Sequence, residues 1–296
     1  MNQHPESTGE RVVHVGEVEL WTQTYGRPAD PAVLLLAGTS NSMDWWPPEF
    51  CAALAARGLF VLRYDQRDTG RSTHDQPGSP SYGLPDMATD AIAVLDAYQL
   101  ESAHWVGFSS GGWVAQLAAL DHPDRVDSLA LLSTRPTGHG PADPDLPEVS
   151  DQLFAAWASM AEPDWDDPAA VLDYLVDSER TLAAEPFDAA AVRALYEEVL
   201  ARSIDIRAAI TNHPLAEQGP RWRDRLSRIT APTVVISGDR DPLFVPANAE
   251  ALAAAIPGAT LTLLPDVGHE LPARRWPDYL TAITTNLARR GAGVRR

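Results

Sequence analysis

The chain has 296 residues, 45% of them hydrophobic and 22% charged, with 41 acidic against 23 basic side chains and a formal net charge of −18. That length supplies one large core with room for an insertion, and the acidic excess argues against nucleic acid as the natural partner and disfavours an anionic membrane surface. The single cysteine, Cys51, excludes an internal disulfide and a thiolate metal site.

In chain order, the first fifteen residues are polar and lack the basic and then apolar regions of a secretory leader. No run reaches the length of a membrane span, and the lone cysteine fits a reducing cytosol, which is the expected location. Short runs rich in aliphatic and β-branched residues predict strands at 11–15, 17–25, 32–37, 59–64, 103–108, 127–133, 233–237 and 259–264. Residues 17–25 alternate as a half-exposed antiparallel strand does. From residue 32 the runs are almost continuously apolar, as when helices cover both faces of a parallel sheet. Ala-rich helical patterns at 48–57, 87–98, 112–121, 247–256 and 276–290 lie between or after the strands, bounded by Gly, Pro or Asp. The expected fold is α/β: an eight-stranded, mostly parallel sheet with an antiparallel start and helices on both faces.

One stretch breaks the alternation. From about 134 to 226 there are helical patterns, at 152–161, 168–184 and 189–203, and no strand, following a Pro- and Gly-rich linker at 135–147. The predicted organisation is a core in two parts, 1–134 and 227–296, with a helical cap at 135–226 between them. The basic end, 289–296, reads as a frayed terminus.

The strongest chemical signal is Gly107-Phe108-Ser109-Ser110-Gly111, which follows the strand at 103–108 and opens the helix at 112–121. A strand–turn–helix of this kind lifts the central serine above the sheet, and the flanking glycines are needed where neighbouring backbone comes too close for a Cβ. Ser109 is the candidate nucleophile. Ser110 is placed to offer its backbone N–H, at a helix N-terminus, to a developing oxyanion.

A serine hydroxyl needs a base, and the base needs a third group to hold its tautomer. His269 stands in a loop directly after the strand at 259–264 and is the best-placed base. His4, His14 and His74 read as surface or loop residues, His104 starts a strand, His122 ends a helix and His139 lies in the linker. His213, in the insertion, is kept as a candidate substrate contact. After the strand at 233–237, Asp239 and Asp241 are both able to orient an imidazole; Asp241 is favoured because Pro242 fixes the chain behind it. A second oxyanion donor is expected from the loop after the third strand, where Thr39 N–H is the candidate. The order Ser109, Asp241, His269 is the order of α/β-hydrolases.

Together the elbow, the Gly38-Thr39 loop, the Asp241-Pro242 turn and the Gly268-His269 loop resemble the α/β-hydrolase superfamily over almost the whole chain. Residues 17–21, Arg27-Pro28-Ala29-Asp30-Pro31, Trp45-Trp46-Pro47, the segment 63–72 and residues 87–95 are similar to actinobacterial anthracycline (aclacinomycin) methylesterases. The resemblance implies hydrolysis of a carboxylic methyl ester on a large aromatic polyketide by a Ser–His–Asp triad beneath a helical cap. It covers the core well and the cap poorly, so it carries the reaction type further than the substrate. Phe108 and Ser110 around the nucleophile depart from the family pattern.

Aromatic residues of the insertion, Phe154, Trp157, Trp165, Tyr174, Phe187 and Tyr196, together with Trp113 behind the elbow, are candidates to line a pocket for a flat apolar substrate; Trp113, Trp157 and His213 are the named substrate contacts. No metal or organic cofactor is expected, since no ligand cluster has metal spacing and no phosphate-binding glycine loop occurs. Two other readings stay open: the same triad used on lactones or thioesters, in perhydrolysis or in carbon–carbon cleavage, and a non-catalytic small-molecule-binding protein. Epoxide hydrolases and haloalkane dehalogenases are disfavoured, because their covalent step needs a carboxylate where Ser109 stands.

Overall fold

A computed structural model describes residues 9–138 and 142–293. His4 and His139 lie outside these residues, as does the end of the basic tail. Eight strands form one sheet: β1 (Arg11–Val15), β2 (Val18–Tyr25), β3 (Ala32–Leu36), β4 (Phe60–Tyr64), β5 (Ala103–Phe108), β6 (Val126–Leu132), β7 (Thr233–Gly238) and β8 (Thr260–Leu264). Their order is β1-β2-β4-β3-β5-β6-β7-β8. β1 pairs with β2 and β2 with β4 antiparallel, while every other neighbouring pair is parallel.

The apolar pattern explains this arrangement. β3, β4 and β5 are buried at every residue, which requires cover on both faces. On one face α1 (Pro48–Ala55) and α9 (Trp276–Gly293) bring Phe50, Leu54, Tyr279 and Ile283 onto Val33, Leu35 and Val106. On the other, α2 (Leu84–Ala97), α3 (Ser110–Asp121) and α8 (Pro246–Ala255) bring Val94, Val114 and Leu252 to Leu34, Leu36 and Trp105. Cys51 sits fully buried in the first of these layers, and desolvation pushes its thiol up to about 12, which makes it an inert apolar filler.

Two expectations need correcting. The edge strand β8 is not covered on both faces: Leu261 and Leu263 are exposed, because α9 packs chiefly on β6 and β7. And α2 begins at Leu84 instead of residue 87; Pro85 lies in its first turn, where a missing N–H costs no helical hydrogen bond.

Among the described residues, four α-helices lie between β6 and β7: α4 (Asp151–Ser159), α5 (Pro168–Leu182), α6 (Ala189–Arg202) and α7 (Ile206–Asn212). Each start is set by a side-chain cap, Ser150 accepting from Leu153 N–H, Asp167 from Ala169, Asp188 from Ala191 and Asp205 from Ala208. The short α7 was missing from the sequence reading; its signal is the Asp205 cap. Val171, Leu175, Tyr196 and Val199 give α5 and α6 a small apolar cluster of their own. Among the described residues no helix is long and apolar enough to cross a membrane.

The insertion is fastened to the core by Arg202 at the end of α6. Its guanidinium reaches Asp65 at 2.6 Å, Asp44 at 2.8 Å and Glu10 at 2.5 Å, and the Asp65 side chain is fully buried. Replacing Arg202 by Met strands buried carboxylates without their main counter-charge, so we expect a loss of about 3–5 kcal/mol in urea-denaturation stability. A loss below about 1 kcal/mol would mean that the cluster contributes no more than a surface pair.

Candidate active site

At the carboxyl end of β5 the chain turns sharply into α3, and Ser109 stands at the turn with φ +52° and ψ −118°. A non-glycine residue in so sparsely populated a conformation costs on the order of 1–3 kcal/mol. The surroundings impose it: Ser109 N–H donates to Leu132 O at 2.9 Å, and its own carbonyl accepts from Gly112 N–H at 2.9 Å and Thr134 Oγ1 at 2.8 Å. The glycines on either side are sterically required. A Cβ on Gly107 would lie 2.4 Å from Gly111 O, and one on Gly111 2.5 Å from Leu36 O.

His269 reaches Ser109 from the loop after β8. Its Nε2 is 3.0 Å from Ser109 Oγ, and its Nδ1 is 2.8 Å from Asp241 Oδ2. Asp241 Oδ1 accepts from the N–H groups of Leu243 at 2.9 Å and Phe244 at 2.8 Å, so the turn after β7 locks the carboxylate. These partners assign the tautomer: a carboxylate only accepts, which places the imidazole proton on Nδ1 and leaves the Nε2 lone pair facing the serine hydroxyl. Ser109, His269 and Asp241 are all buried. Asp239 is exposed, and its carboxylate caps Asp266 N–H at 2.8 Å, which separates the two carboxylates left open by the sequence. The insertion also holds the histidine, since Leu182 O at the end of α5 accepts from His269 N–H at 2.8 Å.

Beside Ser109 runs the turn Gly38-Thr39-Ser40-Asn41, closed by Asn41 N–H to Gly38 O at 3.2 Å. A Cβ on Gly38 would lie 3.3 Å from Ser109 Cβ, so the turn abuts the serine. Thr39 lies on the cavity wall, and its N–H has no partner among the described residues. Ser110 is the first residue of α3, where an N–H has no helical acceptor.

Above these groups is a cavity of about 740 Å³, walled by the turn, the elbow and the insertion. Of the expected substrate contacts, Trp113 and Trp157 line it, as do Phe154, Tyr174 and Tyr196; Trp165 does not, and Phe187 lines a neighbouring cavity of about 670 Å³. His213 is not on the wall, and both its ring nitrogens are engaged by protein atoms. Neither His14, His74, His104 nor His122 lines the cavity.

Several lining residues, among them Phe108, Phe244, Trp45 and Glu179, were not expected there from the sequence. Phe108 and Phe244 flank His269, with ring centroids 5.0 Å and 5.3 Å from the imidazole, and Trp45 packs on Phe108 at 4.1 Å. Phe108 occupies the variable place of the elbow, the one signal available for it. Glu179 on α5 lines both cavities and accepts from Tyr196 Oη at 2.5 Å. Burial pushes its carboxyl above the ordinary range against the opposing hydrogen bond from Tyr196 and the pull of His269.

Residues 31–273 match the alpha/beta hydrolase fold family. The chain is 36% identical over 277 residues to "Rhodomycin D methylesterase DauP" of Streptomyces sp. (strain C5), covering 88% of this chain and 92% of that protein. It is equally 36% identical over 277 residues, with the same coverage, to "Rhodomycin D methylesterase DnrP" of Streptomyces peucetius. Among solved structures, a hydrolase from Pseudomonas aeruginosa PA01 superposes with a TM-score of 0.69 at 28% identity, covering 94% of this chain and 98% of that one.

Proposed function

The chain belongs to the α/β-hydrolase fold family and is a carboxylic ester hydrolase, and from that premise we propose that it removes the methyl group from a methyl ester of a large aromatic polyketide through an acyl-enzyme on Ser109. The observation that carries this reading is the hydrogen-bonded chain from Asp241 through His269 to Ser109 at the base of the cavity.

His269 Nε2 takes the Ser109 hydroxyl proton as Oγ attacks the ester carbonyl carbon. The negative charge gathers on the former carbonyl oxygen, and the N–H groups of Thr39 and Ser110 hold it. On collapse, the imidazolium returns its proton to the departing methoxy oxygen and methanol leaves. Water, deprotonated by the same Nε2, then attacks the acyl-enzyme, releasing the free acid and restoring Ser109. Asp241 remains ionised throughout and stabilises the imidazolium.

Support for a flat apolar substrate comes from the wall, where Trp113, Phe154, Trp157 and Tyr174 face a volume suited to a multi-ring molecule. We read the insertion as a cap that selects this substrate. Cys51, free and buried, suits a reducing compartment, and we place the reaction in the cytoplasm.

The test is mass spectrometry of the purified protein incubated with methyl esters of aromatic polyketides. Conversion of ester to free acid, with a transient acyl adduct on the Ser109 peptide, is the expected result. Turnover of simple esters or lactones without demethylation would discard the polyketide and keep the hydrolase. A protein that binds these esters and yields neither product nor adduct would overturn the catalytic reading.

A further inference from the structure

His213 follows the last residue of α7, buried in the insertion and outside the catalytic chain just described. Its Nδ1 is 2.9 Å from Ser40 N, and its Nε2 is 2.7 Å from Arg67 O. A backbone N–H can only donate and a carbonyl can only accept, so the ring is held as the neutral tautomer with its proton on Nε2. Burial, which lowers the affinity of this imidazole for a second proton, outweighs the Arg67 carbonyl and Asp68, both of which favour the charged form. The end of α7 is itself anchored to the loop after β4. Asn212 Nδ2 donates to Asp68 Oδ2 at 2.9 Å, and Asn212 Oδ1 accepts from Gly78 N–H at 2.6 Å.

The partner of Nδ1 is informative. Ser40 is the third residue of the turn that lies against Ser109, and its φ is +66°, a left-handed conformation that side-chain-bearing residues avoid. The peptide between Thr39 and Ser40 therefore needs an external hold. His213 provides one by accepting its N–H, and the next peptide back carries the Thr39 N–H at the cavity wall.

We propose that His213 is a positioning residue: its Nδ1 fixes the Thr39–Ser40 peptide so that the adjacent Thr39 N–H is aimed at the oxyanion, which makes the helical insertion part of the catalytic apparatus. This rests on the reading of Ser109 and Thr39 given above. Being realised in the transition state, the interaction acts on kcat and not on substrate binding.

The two bonds of the ring can be separated. His213→Gln keeps a donor for Arg67 O and loses the acceptor for Ser40 N–H; His213→Asn keeps that acceptor and loses the donor. With p-nitrophenyl acetate as a small substrate, His213→Gln is expected to lower kcat by about 10–100-fold with KM within about threefold of wild type, since it loosens one oxyanion donor without removing it. His213→Asn is expected to keep kcat within about threefold even where its Tm falls. Wild-type turnover that disappears in Ser109→Ala establishes the hydrolase beforehand, so that equal kcat in wild type and His213→Gln would overturn only the role of His213. A kcat that falls in step with Tm in both variants would reduce His213 to a structural residue, and a change confined to KM would make it a substrate contact. Should His213→Gln fail to fold, His213→Asn decides alone: kcat near wild type at a lowered Tm supports the proposal, and a parallel fall overturns it.

Discussion

Ser109→Ala is expected to lower kcat by roughly 10⁶-fold while leaving substrate binding within a few-fold of wild type. Ser109 is one small residue of a wall made mostly of larger side chains, and its replacement by alanine leaves Gly107, Gly111 and their close approaches in place. Removing Oγ also relieves no strain, since alanine must adopt the same φ of +52°. Rates are measured by discontinuous assay at high enzyme concentration, and binding by calorimetric titration of the variant with the same ester. A fluorophosphonate should label wild type stoichiometrically and the variant not at all. Turnover within about 10-fold of wild type would remove Ser109 from the mechanism, because no triad hydrolase tolerates loss of its nucleophile so lightly.

Asp241→Asn should produce the second-largest effect, a fall of about 10⁴-fold in kcat with the fold retained. The amide oxygen can still accept from Leu243 and Phe244 N–H, so the loop geometry survives. The atom facing His269 Nδ1 then becomes a donor, and the imidazole keeps its partner only by moving its proton to Nε2. In that tautomer His269 offers Ser109 a hydrogen where a lone pair is needed. Asp239→Asn, by contrast, should leave kcat near wild type, since Asp239 is exposed and its carboxylate accepts from Asp266 N–H and lies near the Arg240 side chain, away from His269. Equal losses in the two variants would mean that the effect of Asp241 is on folding of the loop and not on the tautomer.

How these residues were read from the chain, and which were not, follows from the range of the interactions involved. The elbow, the Asp241 turn and the His269 loop each carry a local signature: a short apolar strand, an abrupt turn at its carboxyl end, and a glycine or proline beside the reactive side chain. A parallel sheet gathers the carboxyl ends of its strands on one edge. Three residues spread over 160 positions therefore converge without any contact between them having to be foreseen. Strand identity was legible for the same reason, since buried parallel strands must be apolar throughout; β8 was over-read because an edge strand can carry the same residues with one face open.

The insertion obeys no such grammar. Its helices were visible in their periodicity, save the short α7, but where their faces land depends on tertiary packing. Arg202 meets Asp65 across 137 positions, His213 meets Ser40 across 173, and Glu179 reaches the cavity only because α5 is laid over it. A histidine in a polar helical segment looks the same in sequence whether it faces ligand, solvent or a backbone N–H. By itself the sequence determined the α/β architecture and the candidate groups at the strand ends, because backbone hydrogen bonding and burial make those features local and repetitive. Only the tertiary structure decided which side chains of the insertion line the cavity, which of them brace it and which hold the turn beside Ser109, because those assignments depend on docking unlike elements, where specific side-chain contacts and not a repeating pattern set the geometry.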